Sequence, residues 1–532
     1  MGLQERPIVS DVADGGKYFE HEYEKFFLKA YVPANDLDGA TNNYGFQAPL
    51  LLVFEEHRQS RDEAIAFAKE TRLANIAATF DSSVLFIYPT DKDGWKNQTD
   101  ELYAAVIKEI KMDPNYADGI VSITNFFTRE FQGYFVRGAI FRADIYSYGA
   151  SADYVAKNLL KTVKGEYLWG PGDITPAMCS MQNLSEAVRP ERSDIGILSV
   201  GNSDAVNAVF SECTNLLIKK EADYQKDFYS FVRKFRMWCN NMQYEPDYEA
   251  MNMVEEASSV VVKTSPNNRG AFKDTKEHKV GYFAYYNKGI FDNGPVPLVM
   301  AFHGGGDSSM YFTYTTNWYE IAHDNNFLYV AIENHQNVAA SEVIEIIEHL
   351  KKKYKIDEHR IYATGFSMGS GKTWEMYQEF PQVFAAVAPM SALFPVKNNP
   401  FAPDLGNRLN KTVPVPMFYA GGEKSHLPEL CFQADSALER IQYLAEVNQF
   451  KKKFDNIKFE EKDNWENPIW GITGDRTEVI HDDSRDSDLT IQYFESEDGV
   501  IRTALGSVSG QGHECRHHSC VNAWKFMSQF TR

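Results

Sequence analysis

Long hydrophobic runs are missing from this sequence. No stretch of its 532 residues approaches the roughly 18–20 apolar residues a membrane-spanning helix needs. The N-terminus, Met1 to Pro7, has no apolar core of a signal peptide, so a cytoplasmic location is expected. Basic residues are in deficit: 54 Lys and Arg face 74 Asp and Glu, a net charge of −20. That balance argues against nucleic acid and anionic membranes as partners, and a solvated acidic surface accounts for it. Cysteines are few, six in all, and scattered as free thiols of a reducing compartment would be. Cys515 and Cys520 alone stand near enough to pair, were the protein exported. Histidine is absent from the whole stretch between His57 and His278. Any serine there lacks a downstream imidazole base.

Material for burial is plentiful, at 43% apolar and 14% aromatic residues. The length exceeds one ordinary core and predicts two domains. The densest local signal is Gly365-Phe366-Ser367-Met368-Gly369, a G-x-S-x-G. It follows the strand-like Arg360-Ile361-Tyr362 and precedes a helical run from Lys372. A strand, a sharp turn and a helix expose a serine Oγ at the top of a sheet, and glycines allow the turn. Upstream, the apolar run Pro297 to Phe302 reads as a strand covered on both faces. It ends in His303-Gly304-Gly305-Gly306, where N–H groups of Gly304 and Gly305, with that of Met368, could hold an oxyanion. Downstream, Thr503 to Val508 runs into Ser509-Gly510-Gln511-Gly512-His513 before a terminal helix. A histidine so placed can serve the serine as general base. His517 and His518 are rivals, but they fall toward that helix.

Nucleophile, acid, histidine is the chain order of α/β-hydrolases. On these motifs, residues from about 278 to 532 resemble α/β-hydrolase esterases of the polyhydroxybutyrate depolymerase and feruloyl-esterase type. Phe380-Pro381-Gln382-Val383-Phe384-Ala385 resembles that group's segment after the elbow. The resemblance implies hydrolysis of hydroxycinnamoyl or short-chain acyl esters of plant carbohydrate, or of short polyesters, without a cofactor. A peptidase of the same superfamily would share the triad, and a non-enzymatic binding protein would share only the scaffold.

The acid should follow the strand Pro416 to Ala420, and Glu423 stands at its end in Gly421-Gly422-Glu423. The related esterases more usually carry Asp in that loop. Asp435 is the next candidate, with Asp404 and Asp463 behind it. The expected chemistry is attack by Ser367, proton transfer to His513, and orientation of the imidazole by Glu423.

The first half repeats the pattern in worn form. Pro49 to Phe54 matches Pro297 to Phe302, Glu24 to Tyr31 matches Lys279 to Tyr286, and Asn75 to Tyr88 echoes Glu320 to Val330. Ile145 to Ser151 lies where Gly365 to Gly371 lies, aligning Ser147 with Ser367. Gly196 to Asn202 matches Val415 to Gly421. Two tandem α/β-hydrolase-like domains are therefore expected, 1–250 and 251–532, with the break inside 239–258. Glu55-Glu56-His57 replaces the oxyanion glycines, so the first domain reads as non-catalytic: a packing partner, a wall or lid, or a surface for homo-oligomers.

Two other motifs fail on chemistry. Gly369-Ser370-Gly371-Lys372-Thr373 ends like a P-loop, but position 366 is Phe where a glycine must wrap phosphate. His513 to Cys520 is rich in zinc-ligand types, yet structural zinc draws two knuckles and no second cluster exists, so no metal is expected. Tyr311, Phe312, Tyr314, Trp318, Trp465 and Trp470 are candidates to line a pocket for an aromatic acyl group or sugar. The acidic insertion between Lys462 and Gly499 reads as a lid or a solvated β-hairpin.

Overall fold

The apolar runs Pro49–Phe54 and Val296–Phe302 are each a central strand of a sheet, and Leu50 to Phe54 and Val296 to Phe302 are buried throughout. A computed structural model describes residues 4–7, 17–32, 49–71, 73–74, 77, 83–111, 139–167, 170–193, 195–213, 215–221 and 246–532, except 271, 306–308, 334 and 393–408. It divides into two units, Met1–Pro246 and Asp247–Arg532, each with its own core. Residues 239–245 of the expected break, part of the Asn75 to Tyr88 match, and Asp404 lie outside the described residues.

In the first unit the strands are β1 (Gln4–Pro7), β2 (Lys17–Glu22), β3 (Phe26–Val32), β4 (Pro49–Phe54), β5 (Val84–Pro89) and β6 (Ala139–Tyr148). A separate hairpin, β7 (Val163–Tyr167) and β8 (Gly170–Ile174), precedes β9 (Met178–Gln182), β10 (Gly196–Val200) and β11 (Leu216–Lys219). The sheet order is β1-β2-β3-β5-β4-β6-β9-β10-β11. Pairing is antiparallel up to β5 and parallel from there to β11. Helix α1 (Ala150–Asn158) follows β6.

The second unit repeats that order. Its strands are β12 (Met253–Lys263), β13 (Glu277–Asn287), β14 (Val296–Phe302), β15 (Leu328–Ile332), β16 (Ile356–Phe366) and β17 (Ala386–Met390). They continue with β18 (Met417–Gly422), β19 (Arg476–Asp482), β20 (Ser487–Glu495) and β21 (Ile501–Val508). The sheet runs β12-β13-β15-β14-β16-β17-β18-β21-β20-β19. Strands β15 to β21 in that row pair in parallel, as continuous apolar strands buried on both faces do. The acidic insertion forms the antiparallel hairpin β19–β20, which extends the sheet beyond β21. Helices used below are α2 (Ser309–Thr316), α3 (Trp318–Asn325), α4 (Met368–Glu379), α5 (Asp435–Val447) and α6 (His517–Met527). Among the described residues, no helix is long and apolar enough to cross a membrane.

Candidate active site

Between β16 and α4 the chain has one residue in which to reverse from strand to helix. That residue is Ser367, with φ 52° and ψ −112°. A side chain in this conformation is strained, and such strain persists where the surroundings over-determine it. Here the Ser367 N–H donates to the Met390 carbonyl (3.1 Å), and the Ser367 carbonyl accepts from the Gly371 N–H (3.1 Å). The two motif glycines serve close packing. A Cβ on Gly369 would lie 1.9 Å from the Phe302 carbonyl oxygen, and one on Gly365 would lie 2.3 Å from that of Gly369. Without side chains at both positions, the first turn of α4 settles against the end of β14.

Beyond β17 and β18 in the same sheet, β21 ends at Val508 and the chain turns through Gly510 at φ +67°. The loop then crosses the end of β18, where a Cβ on Gly422 would meet the Gly512 carbonyl oxygen at 2.3 Å. This seats His513 with its Nε2 2.8 Å from Ser367 Oγ and its Nδ1 2.5 Å from Glu429 Oε1. An ionised carboxylate only accepts, so Nδ1–H donates to Glu429 and Nε2 is left to accept the serine proton. Glu429 is fully buried. Its other bonds come from the Gly422 N–H (2.6 Å) and the Ser425 hydroxyl (2.7 Å). A buried carboxylate needs such partners.

These elements have a common name. The fold is that of an α/β-hydrolase. A mixed sheet with the central order just given, a strained serine between strand and helix, and a histidine after the last parallel strand are its features.

Of the expected site residues in this hydrolase fold, Ser367 and His513 come together and Glu423 does not join them. The Glu423 N–H still belongs to the sheet, donating to the Val508 carbonyl (3.1 Å). Glu429, six residues on, holds the place instead. The chain turns back through Ser425 to Pro428, and Gln433 Oε1 accepts the N–H groups of Glu429 (2.7 Å) and Leu430 (2.8 Å). In sequence Glu429 lies past the strand's end, on the returning loop, where the order of motifs alone does not mark it. The available hint was an acid followed at once by Leu430 and Cys431, both buried. Asp435 is exposed at the start of α5, accepting from the Ser436 N–H (2.7 Å), and Asp463 is exposed. His517 Nδ1–H donates to the Thr316 carbonyl (3.0 Å), away from Ser367.

The candidate oxyanion groups flank the elbow. Met368 opens α4, where N–H groups have no carbonyl partner within the helix. Gly304 is buried and Gly305 half-buried, next in the chain to the carbonyls against which Gly369 packs. His303 is fully buried and its Nδ1–H donates to the Gly304 carbonyl (2.7 Å). Burial pushes its pKa down to about 4, so the ring is neutral at pH 7. His335 Nε2–H donates to the His303 carbonyl (2.7 Å). Glu333, also buried, accepts from the Ser309 N–H (3.1 Å) and hydroxyl (2.6 Å), with Oε1 3.7 Å from His303 Nε2.

The expected aromatic lining is largely core. Phe312, Tyr314, Trp318 and Trp470 are at most 2% exposed. Trp465 is half-buried, its Nε1–H donating to the Lys458 carbonyl (2.9 Å), and the Tyr311 side chain lies outside the described residues.

In the first unit the register of the elbow differs from the one read in the sequence. Ser147 is an interior residue of β6, buried, donating to the Ser180 carbonyl (2.9 Å). The residue between β6 and α1 is Gly149, at φ 57° and ψ −127°. Glycine takes that conformation without strain and supplies no side chain. The Glu56 carboxylate lies over it, 2.1 Å from where a Cβ would stand. Ser151 falls at the position of Gly369, its hydroxyl donating to the Phe54 carbonyl (2.6 Å).

No family model matches the chain. A curated bifunctional acetylxylan esterase/xylanase, XynS20E of Neocallimastix patriciarum, is 29% identical over 135 residues. That match takes in 24% of this chain and 19% of the relative's length. Among solved structures, an acetyl xylan esterase from Aspergillus awamori is similar at 13% identity and TM-score 0.34, over 51% of this chain and 99% of that one. A feruloyl esterase module from Clostridium thermocellum, complexed with sinapinate, is similar at 13% identity and TM-score 0.30, over 54% and 92%.

Proposed function

We propose that the second unit is a serine hydrolase of carboxylic esters, with Ser367 as nucleophile, His513 as base and Glu429 as the orienting acid. The relay Ser367 Oγ–His513–Glu429, with spacings of 2.8 and 2.5 Å, carries this reading. Ser367 attacks the ester carbonyl as His513 Nε2 takes its proton. Glu429 fixes the tautomer and stabilises the imidazolium. N–H groups of Met368 and of Gly304 or Gly305 receive the oxyanion. The imidazolium protonates the departing alcohol, and water activated by the same ring releases the acid. None of these steps needs a cofactor.

For the substrate we infer acyl esters on carbohydrate, acetyl or hydroxycinnamoyl. The name of the curated relative, an acetylxylan esterase/xylanase, supports this substrate class. The first unit is read as non-catalytic: Gly149 offers no nucleophile and Glu56 fills the space above it.

A fluorophosphonate probe should label Ser367 in the native protein and leave Ser367→Ala unlabelled, while Ser147→Ala labels normally. Methyl ferulate, acetylated xylo-oligosaccharides and p-nitrophenyl acetate should be hydrolysed, and peptide amides left intact. Labelling that survives Ser367→Ala would overturn the assignment, and turnover of amides alone would replace esterase by peptidase.

A further inference from the structure

We propose that Cys515 and Cys520 are a disulfide-forming site that fastens the loop carrying His513 to the first turn of α6. Their sulfurs stand 3.5 Å apart with both thiols free. A 2.0 Å S–S bond then needs only a small side-chain rotation. Cys515 is partly exposed and lies two residues after His513, whereas Cys520 is fully buried on α6. The Cys520 N–H donates to the Arg516 carbonyl (3.2 Å), so the second sulfur is set by the helix and the first by the loop.

The chain on either side of Cys515 is already held by polar contacts. The Glu514 carbonyl accepts from Ser391 (2.7 Å) and Gln511 (3.0 Å) side chains, and Arg516 binds Glu514 and the Ser487 hydroxyl (2.8 Å). These contacts hold the loop at Cys515 in place beside α6. Exposure makes Cys515 the entry point. Its thiolate attacks one sulfur of a small-molecule disulfide, such as oxidised glutathione, forming a mixed disulfide and releasing one thiol. The Cys520 thiolate then attacks the Cys515 sulfur and releases the second. Two protein thiols lose two protons and two electrons, and one small disulfide is reduced to two thiols. Burial raises the Cys520 thiol well above its ordinary range, so this second step is the slow one.

The test uses the full chain incubated with oxidised glutathione, then alkylated and mapped by mass spectrometry. Loss of two hydrogens on the peptide spanning 515–520, abolished in Cys520→Ser, is the expected result. Two alkylated thiols after prolonged exposure would overturn the proposal, as would pairing with Cys431 or Cys213. Closing this short ring should raise the melting midpoint by about 4 °C, reversed by dithiothreitol in the native chain and absent in Cys515→Ser. Equal midpoints for oxidised and reduced protein would show that the bond does not fasten the loop. Neither readout depends on ester turnover, so failure of the catalytic reading would leave this inference standing.

Discussion

Ser367 and Gly149 occupy the same point of two sheets with the same backbone, φ 52° and ψ −112° in one, φ 57° and ψ −127° in the other. Their N–H groups also bond to equivalent strand-end carbonyls, of Met390 (3.1 Å) and Gln182 (2.9 Å). The unit with glycine adopts the turn freely. The unit with serine bears the strain, and there alone the residue meets an imidazole. Strain kept at one of two equivalent turns is an argument for function.

The acid is open to direct comparison. Glu429→Gln should lower kcat by about 10⁴, because the amide cannot hold the imidazole tautomer or stabilise its charge. Glu423→Gln should stay within about twofold of the native rate, since Glu423 is not bonded to His513. Steady-state kinetics on p-nitrophenyl acetate decide between them. The reverse ranking would restore Glu423 to the site.

Gly369 is constrained by backbone, not by a movable side chain. Gly369→Ser should destabilise the second unit by about 3 kcal/mol and cost at least tenfold in kcat, because a Cβ 1.9 Å from the Phe302 oxygen forces α4 outward. Ser151→Gly, the converse change in the first unit, should cost about 2 kcal/mol, for the bond its hydroxyl donates to the Phe54 carbonyl and the one it accepts from the Tyr148 N–H (3.0 Å). Calorimetry of both variants would show it, and a native melting curve for Gly369→Ser would refute the packing argument.

Glu333 holds Ser309, at the start of α2 just after the proposed oxyanion loop, by accepting from its N–H and hydroxyl, and is a positioning residue. Replacing it by Met removes the acceptor of both Ser309 bonds and should lower kcat about 10–100-fold with little change in KM. Glu333→Gln keeps one carbonyl oxygen for Ser309 and should recover most of the rate. A rise in KM at unchanged kcat would instead assign Glu333 to substrate binding.

Acid should weaken the second unit through its buried histidines. The pKa of His303 is pushed down to about 4, and that of buried His335 falls well below its ordinary value. Between the unfolded value near 6.5 and the folded one, the unfolded chain binds protons the native one refuses. Stability is therefore fully present above about pH 6.5 and lost as pH falls toward 4, by about 3 kcal/mol from His303. Denaturant melts at pH 7 and pH 4.5 should show this slope, reduced in His335→Asn. A midpoint independent of pH over that range would contradict it.

The sequence by itself marked Ser367 and His513, which the fold brings within 2.8 Å of each other, and the strand order that the two sheets share. Each rests on local rules: apolar runs make parallel strands, and a G-x-S-x-G between strand and helix has few conformations. The register of the first elbow needed the structure, because Ser147 and Gly149 differ only in which residue leaves the sheet. That point is set by pairing β6 with β9 in space. The placement of Glu429 beside His513 also needed it. Glu423 is nearer the strand in sequence, but a carboxylate reaches His513 only where the loop folds back, and Gly422, Ser425 and Gln433 fix that return. Trp318 and Trp470 look alike to a sequence reader whether they line a pocket or fill a core. Their burial is a property of packing, which no single segment encodes.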